Sequence, residues 1–155
     1  MVMETITLDQ LVTGSDLRQA MRHWASGITV ITARPAPGAR IGLVSNSFTS
    51  VSLDPPLVSW CVDRQSTSFE SWRTIDAFSI HILDDEDSHL VPRFAARGTD
   101  KFAGLETRTS ELSTPILDAG AVRFDCRTWK TYDGGDHLII IGEVRRIEHS
   151  RKDAK

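Results

Sequence analysis

The segment Ile28 to Val62, ITVITARPAPGARIGLVSNSFTSVSLDPPLVSWCV, sets the class of fold. Ile28-Thr29-Val30-Ile31-Thr32 is β-branched throughout and reads as a strand. Arg34-Pro35-Ala36-Pro37-Gly38 is a turn, because its prolines and glycine suit no ladder. Ile41 to Ser45 is then the returning strand of a hairpin. Residues 46–56 alternate less cleanly. Phe48, Val51 and Leu53 are apolar, while Asn46, Ser47, Thr49, Ser50 and Ser52 are small and polar. The double proline Pro55-Pro56 is expected to stop hydrogen-bonded pairing there. Leu57 to Val62 is a further, buried strand.

Outward from this segment the pattern continues. Residues 1–14 read as a loose arm. Ser15 caps a helix on which Leu17, Ala20, Met21 and Trp24 recur at helical spacing, and Gly27 ends it. On the other side, Thr67-Ser68-Phe69-Glu70 is a capping-box pattern opening a helix through about Ile75. Phe78, Ile80 and Ile82 alternate with Ser79 and His81, as in a half-buried strand. Asp84 to Ala96 is helical in pattern, with Pro92 marking a kink or the true first turn. Residues 98–120 are irregular. Val122, Phe124 and Cys126 belong to a long strand, Asp133-Gly134-Gly135-Asp136 is a tight turn, and Leu138 to Ile147 is the last strand. Residues 151–155 are a short tail beyond the domain of residues 15–150. Strands joined by turns or single helices favour a mainly β, antiparallel barrel with flanking helices over a doubly wound sheet. No GxGxxG follows a strand.

Composition narrows the partners. The 155 residues are 40% hydrophobic and 25% charged, the balance of one globular domain. The net charge of -3 argues against nucleic acid, which needs a basic field. The longest apolar runs are about five residues, well short of the ~20 that span a membrane, and the N-terminus has no signal-peptide pattern. Cys61 and Cys126 belong to no metal-binding cluster, and such sparse cysteine use fits a reducing cytoplasm better than a disulfide framework. The five histidines share no metal-ligand spacing.

Four segments carry candidate chemistry, each with a bland alternative. The hydroxyl-rich stretch Ser45 to Ser52 suits a flat heterocycle hydrogen-bonded to main chain, with Gly42 allowing close approach, but it also reads as a polar edge strand. Asp63 to Ser68 offers hydroxyls and amides to an anion at a helix start, or only a cap. Arg93 and Lys101 have the charge to hold a phosphate, while Phe94 and Phe102 suit a core. His137, after a glycine turn, is placed to face a cleft. There is no GxSxG, and neither cysteine has an identifiable histidine partner, so difficult chemistry would fall to a cofactor.

In this order, these segments resemble the short-chain flavin reductases, the flavin reductase-like FMN-binding split barrels that include reductase components of two-component flavin monooxygenases. The carrying residues are Trp24 to Thr32, Ser47 to Val58 (SFTSVSLDPPLV), Arg93-Phe94-Ala95, Asp100 to Gly104, and Gly135-Asp136-His137 with Gly142. The resemblance covers about residues 16–148. It implies a six-stranded antiparallel split β-barrel, a homodimer, and non-covalent FAD or FMN reduced by NADH or NADPH. It places Arg40, Ile41, Gly42, Leu43 and Val44 at the flavin, Asn46 and Ser47 under the isoalloxazine, and Cys61, Val62 and Asp63 along the ribityl chain. Thr67 and Ser68 fall at the phosphate. Arg93, Phe94 and Lys101 close the site, and His137 contacts the nicotinamide.

The expected function is reduction of FAD or FMN by NAD(P)H, supplying a separate flavin-dependent monooxygenase in the cytoplasm, with no metal, nucleic acid or membrane involved. Family members continue past the last strand into an apolar strand with a Tyr-x-Gly-like ending. This chain stops at Lys155, so the expectation is an incomplete nicotinamide site or a truncated form. That feature favours the alternative, a flavin-binding split barrel without reductase activity. A purely structural domain ranks last, because all the motifs occur together.

Overall fold

The computed structural model describes residues 13–21, 27–98 and 100–150. Helix α1 spans Gly14–Met21, starting two residues earlier than a Ser15 cap implies. Its cap is Thr13 rather than Ser15. Thr13 Oγ1 accepts from the Asp16 amide at 3.1 Å, and the Asp16 carboxylate accepts from the Thr13 amide at 2.9 Å. Leu17 and Met21 are exposed, so the apolar stripe of α1 is not buried in the core, and Trp24 lies outside the described residues. So do most of the expected arm and all of the expected tail.

Seven strands form the main sheet: β1 (Thr29–Ala33), β2 (Ile41–Ser45), β3 (Thr49–Leu53), β4 (Pro56–Asp63), β5 (Ala77–Ile82), β8 (Val122–Gly134) and β9 (His137–His149). Their order is β2-β1-β5-β8-β9-β4-β3, and every pair is antiparallel. The connection from β2 to β3 forces this sheet to curl. Ser45 to Thr49 spans at most about 14 Å of extended chain. Seven strands laid flat would hold β2 and β3 about 29 Å apart. The sheet therefore closes towards a barrel, with residues 46–48 crossing its seam.

The six strands expected from sequence are all present, and β3, at the open edge, is the polar edge strand that Ser45 to Ser52 also allowed. The double proline does not stop pairing as expected. Asp54 and Pro55 make the turn, and Pro56 opens β4 opposite Leu53. An edge position tolerates a residue without an N–H.

The barrel interior holds Ile31, Val58, Trp60, Val62, Trp72, Phe78, Ile80, Cys126 and Ile140. A second cluster, Val30, Leu90, Phe94, Phe102 and Leu117, lies outside β1 under helix α3 (Leu90–Ala95). Strand β1 is thus buried on both faces. Strand β5 is buried on both faces over most of its length, against the half-buried expectation. Its polar side is covered by residues around the small hairpin of β6 (Arg108–Thr109) and β7 (Pro115–Ile116). There Ser79 hydrogen-bonds Thr114 and Asp125, and His81 Nε2 accepts from the Leu117 amide at 3.1 Å.

Helix α2 is Phe69–Thr74, and the expected capping box is not formed: Ser68 caps with no side-chain bond. The segment from Asp84 breaks into a 3₁₀ turn at Asp85–Asp87 and α3, with Pro92 in the first turn of α3. Both cysteines are free thiols. No helix among the described residues is long and apolar enough to cross a membrane.

Candidate functional site

At the barrel seam, a cleft of about 440 Å³ opens between the end of β2, the end of β4, the end of α3 and the start of β9. Its apolar wall comes from Leu43, Val44 and Val62, with Ile28 below β1. Its polar part begins where β2 turns into the seam crossing. Ser47 Oγ lies 3.0 Å from Ser45 Oγ and accepts from the Cys61 amide at 2.9 Å. Asn46 is exposed beside it. The Cys61 thiol also lines the cleft, and partial burial pushes its pKa up despite the Ser47 hydrogen bond, which keeps it protonated near neutrality.

From the end of β4, Asp63 turns the chain. Its carboxylate accepts from the Gln65 amide at 2.8 Å, and its carbonyl accepts from the Ser66 amide at 2.9 Å. Ser66 and Thr67 line the cleft, whereas Ser68 does not. The Ser68 carbonyl accepts from the Trp72 amide at 3.0 Å in the first turn of α2.

Phe94, Arg97 and Lys101 close another wall. Lys101 Nζ donates to the Gly42 carbonyl at 2.9 Å and the Phe94 carbonyl at 2.8 Å. Burial, and then the charge of Arg97, hold the Lys101 pKa below its ordinary value. Among the described residues neither Lys101 nor Arg97 is ion-paired to a carboxylate. Two such cations at one cleft make an anion-binding environment.

His137 lies at the rim, its side chain 41% exposed. In the β4–β9 ladder it faces Asp63. The Asp136 carboxylate sits 2.8 Å from His137 Nδ1, and this bond holds the carboxyl below the usual range. The proton is therefore on Nδ1, and Nε2 is the nitrogen left for a ligand.

Four other sequence-selected residues lie outside the cleft lining with Ser68. Arg40 instead reaches Thr107 Oγ1 at 3.3 Å and stacks 4.8 Å over the Phe102 ring. Ile41 packs against the barrel core. Gly42 makes a close approach, but to Phe94 rather than a ligand, since a Cβ there would sit 2.8 Å from Phe94 Cε1. Arg93 donates to the Lys101 and Ala103 carbonyls at 3.3 and 2.6 Å. Arg97, just past the extended C-cap Ala96 of α3, takes the position in the cleft that sequence had given to Arg93. Ser66 belongs to the Asp63–Ser68 stretch expected to offer hydroxyls to an anion, whereas Ala95 and Ala96 had been given no contact.

A larger cleft of about 540 Å³ lies between Asp84 and Ser150 and contains none of the sequence-selected residues. Its polar groups serve the fold. Arg123 pairs with Asp125 and Glu148 at 3.0 Å each, and Asp87 accepts from the Gly120 amide at 2.9 Å.

Residues 21–155 match the family model of the flavin reductase-like domain. The chain is 35% identical over 137 residues to a flavin reductase of Pseudomonas putida, covering 88% of this chain and 81% of that protein. It is 36% identical over 132 residues, 85% of this chain, to the reductase component of the flavin-dependent trigonelline monooxygenase of Acinetobacter baylyi. The chain spans 43% of that relative and 43% of another, from Rhizobium meliloti, so less than half of each. Among solved structures, the NADH:FAD oxidoreductase of Streptomyces globisporus, in complex with NAD and FAD fragments, superposes with a TM-score of 0.81. The two share 30% identity, over 91% of this chain and 87% of that one.

Proposed function

This chain belongs to the flavin reductase-like domain family, and from that premise we propose that it reduces FAD or FMN with NADH or NADPH and releases the product to a flavin-dependent monooxygenase. One observation carries the reading. Ser47, Cys61, Lys101 and His137, which the resemblance assigns to the flavin and the nicotinamide, come from four separate segments and line a single cleft.

The donor set fits a flavin nucleotide. A volume of about 440 Å³ falls within the range of roughly 300–1,000 Å³ that small-molecule clefts occupy. The Leu43–Val44 and Val62 walls suit a flat apolar ring. The hydroxyls and main chain of residues 45–47 suit its polar edge. Lys101 and Arg97, with the Ser66 and Thr67 hydroxyls, suit the phosphate. Hydride transfer between the reduced nicotinamide and the flavin is the chemistry the two nucleotides supply when bound. The residues of the chain bind and orient. Lys101 is pinned by two carbonyls and presents its charge without moving, and His137 offers Nε2 at the rim. No side chain is required as a nucleophile or general base.

A second copy of this chain is proposed to cover the open sheet. Strand β3 is an edge with Val51 and Leu53 exposed, and beyond Thr128 strand β8 pairs only with β9, leaving Trp129 and Tyr132 exposed. Sedimentation at micromolar concentration is expected to show a dimer, and a monomer overturns this part. The free thiols and the need for a nicotinamide pool favour the cytoplasm.

The test of the central reading is anaerobic mixing of protein, FMN and NADH. Bleaching of the flavin at a rate proportional to protein concentration supports it. Bound flavin that stays oxidised with both NADH and NADPH turns the assignment to a flavin-binding protein without reductase activity.

A further inference from the structure

We infer that Arg64 is a positioning residue, whose guanidinium ties the loop after β4 to the β8–β9 turn and thereby sets the His137 imidazole at the cleft. This rests on the reading of His137 as the nicotinamide contact. Arg64 follows Asp63 at the end of β4, outside the lining of the cleft. Its Nη2 meets Asp133 Oδ1 at 2.6 Å, its Nε donates to the Gly135 carbonyl at 2.8 Å, and its backbone amide donates to the Asp136 carbonyl at 3.0 Å. One residue thus grips the turn at three successive places.

Beyond the β8–β9 ladder, which pairs Gly134 with His137, few side-chain contacts hold the turn. Residues 131–136 are all exposed, and Gly135 stands at φ +76° beside Gly134. Glycine pairs allow the chain many conformations, and no apolar side chain anchors this one. At the tip the Gly135 amide donates to Asp133 Oδ1 at 3.3 Å, and that carboxylate is itself held by Arg64. Asp136, in the same turn, fixes the His137 ring through Nδ1. The order of control runs from Arg64 to the turn, from the turn to Asp136, and from Asp136 to the imidazole. The same loop supplies Asp63, Ser66 and Thr67 to the cleft, so Arg64 links the flavin wall to the nicotinamide contact. A displacement of about 1 Å at such a contact is enough to impair transfer. Lysine cannot replace the fork, which makes two directed bonds from one planar group.

The test uses Arg64→Met, which keeps the stem beside Phe69 and removes the fork, and Asp133→Asn, which weakens the same bond from the exposed side. In Arg64→Met the amides of residues 134–138 exchange faster, and KM for NADH rises about tenfold, the effect of losing charge-assisted bonds. Flavin Kd stays within about twofold, because Asp63 and Ser66 keep the loop's own hydrogen bonds without the guanidinium. The double variant is no worse than Arg64→Met alone, because both changes act on one pair. Unchanged exchange, unchanged KM for NADH, or an equal loss of flavin affinity overturns the inference while leaving the reductase reading intact. A wild-type protein that binds flavin but oxidises neither nucleotide overturns the reductase reading, and the inference falls with it.

Discussion

The Ser47 hydroxyl accepts a hydrogen bond from the Cys61 amide at 2.9 Å, joining the end of β2 to β4 across the seam of the barrel. The strands so joined are far apart in the order of the sheet, and only the curl of the barrel brings them together. This bond also forms the floor of the cleft. Ser47 is therefore both a structural residue and a neighbour of the ligand, and two substitutions separate the roles.

Ser47→Ala removes the acceptor and leaves the Cys61 amide unpaired, at a cost of about 1–2 kcal/mol in stability. Ser47→Leu adds bulk to the floor and is expected to lower FAD and FMN affinity by about tenfold or more. Fluorescence titration measures both, and a Leu variant with wild-type affinity would remove this strand end from the flavin site.

His137→Ala is expected to raise KM for NADH by about tenfold, the loss of one good hydrogen bond. Flavin binding should persist, since the walls around Val44, Val62 and Lys101 are intact. Unchanged NADH kinetics would reject the assignment of His137.

Arg97→Ala should weaken FMN several-fold and leave riboflavin, which lacks the phosphate, unaffected. The guanidinium is exposed, so its contribution should also shrink with added salt. Equal losses for FMN and riboflavin would place Arg97 away from the phosphate.

His81 makes stability depend on pH. Its Nδ1–H donates to the Val30 carbonyl and its Nε2 accepts from the Leu117 amide, both at 3.1 Å, which fixes the neutral ring. Burial is the main cause that lowers its pKa to about 4, from 6.5. A folded pKa below the unfolded one means stability is complete above pH 6.5 and is lost as pH falls towards 4. The loss is on the order of 3 kcal/mol. Urea unfolding from pH 7 to pH 4 measures it. His81→Gln should flatten this part of the profile, and an unchanged slope would assign it to other groups.

Much of the fold was legible because its local signals agree. The β-branched run at Ile28, the proline turn after Arg34 and the glycine turn before His137 each specify one geometry. The errors came where distant chain decides. Ser79 and His81 read as solvent-facing because the segment that covers them lies around residues 110–119. The β3–β4 pairing read as blocked because an edge position cannot be told from a central one before the strand order is known. The same limit applies at the cleft. Its wall residues from β4, and Ser47, were readable from motif order, but the end of α3 at Ala95, which sends Arg97 to the cleft and leaves Arg93 on the Lys101 and Ala103 carbonyls, was not. Ser68 and Arg40 looked available for a ligand, yet Ser68 stands outside the cleft lining at the start of α2, and Thr107 and the Phe102 ring engage Arg40.

The most direct measurement is loss of NADH by absorbance, in air, with the purified protein and added FAD, FMN or neither. A flavin reductase oxidises NADH or NADPH only when flavin is present, at a rate that saturates with flavin and scales with protein. Oxidation at the protein-free rate with both flavins and both nucleotides, from a protein that demonstrably binds flavin, would contradict the proposed activity.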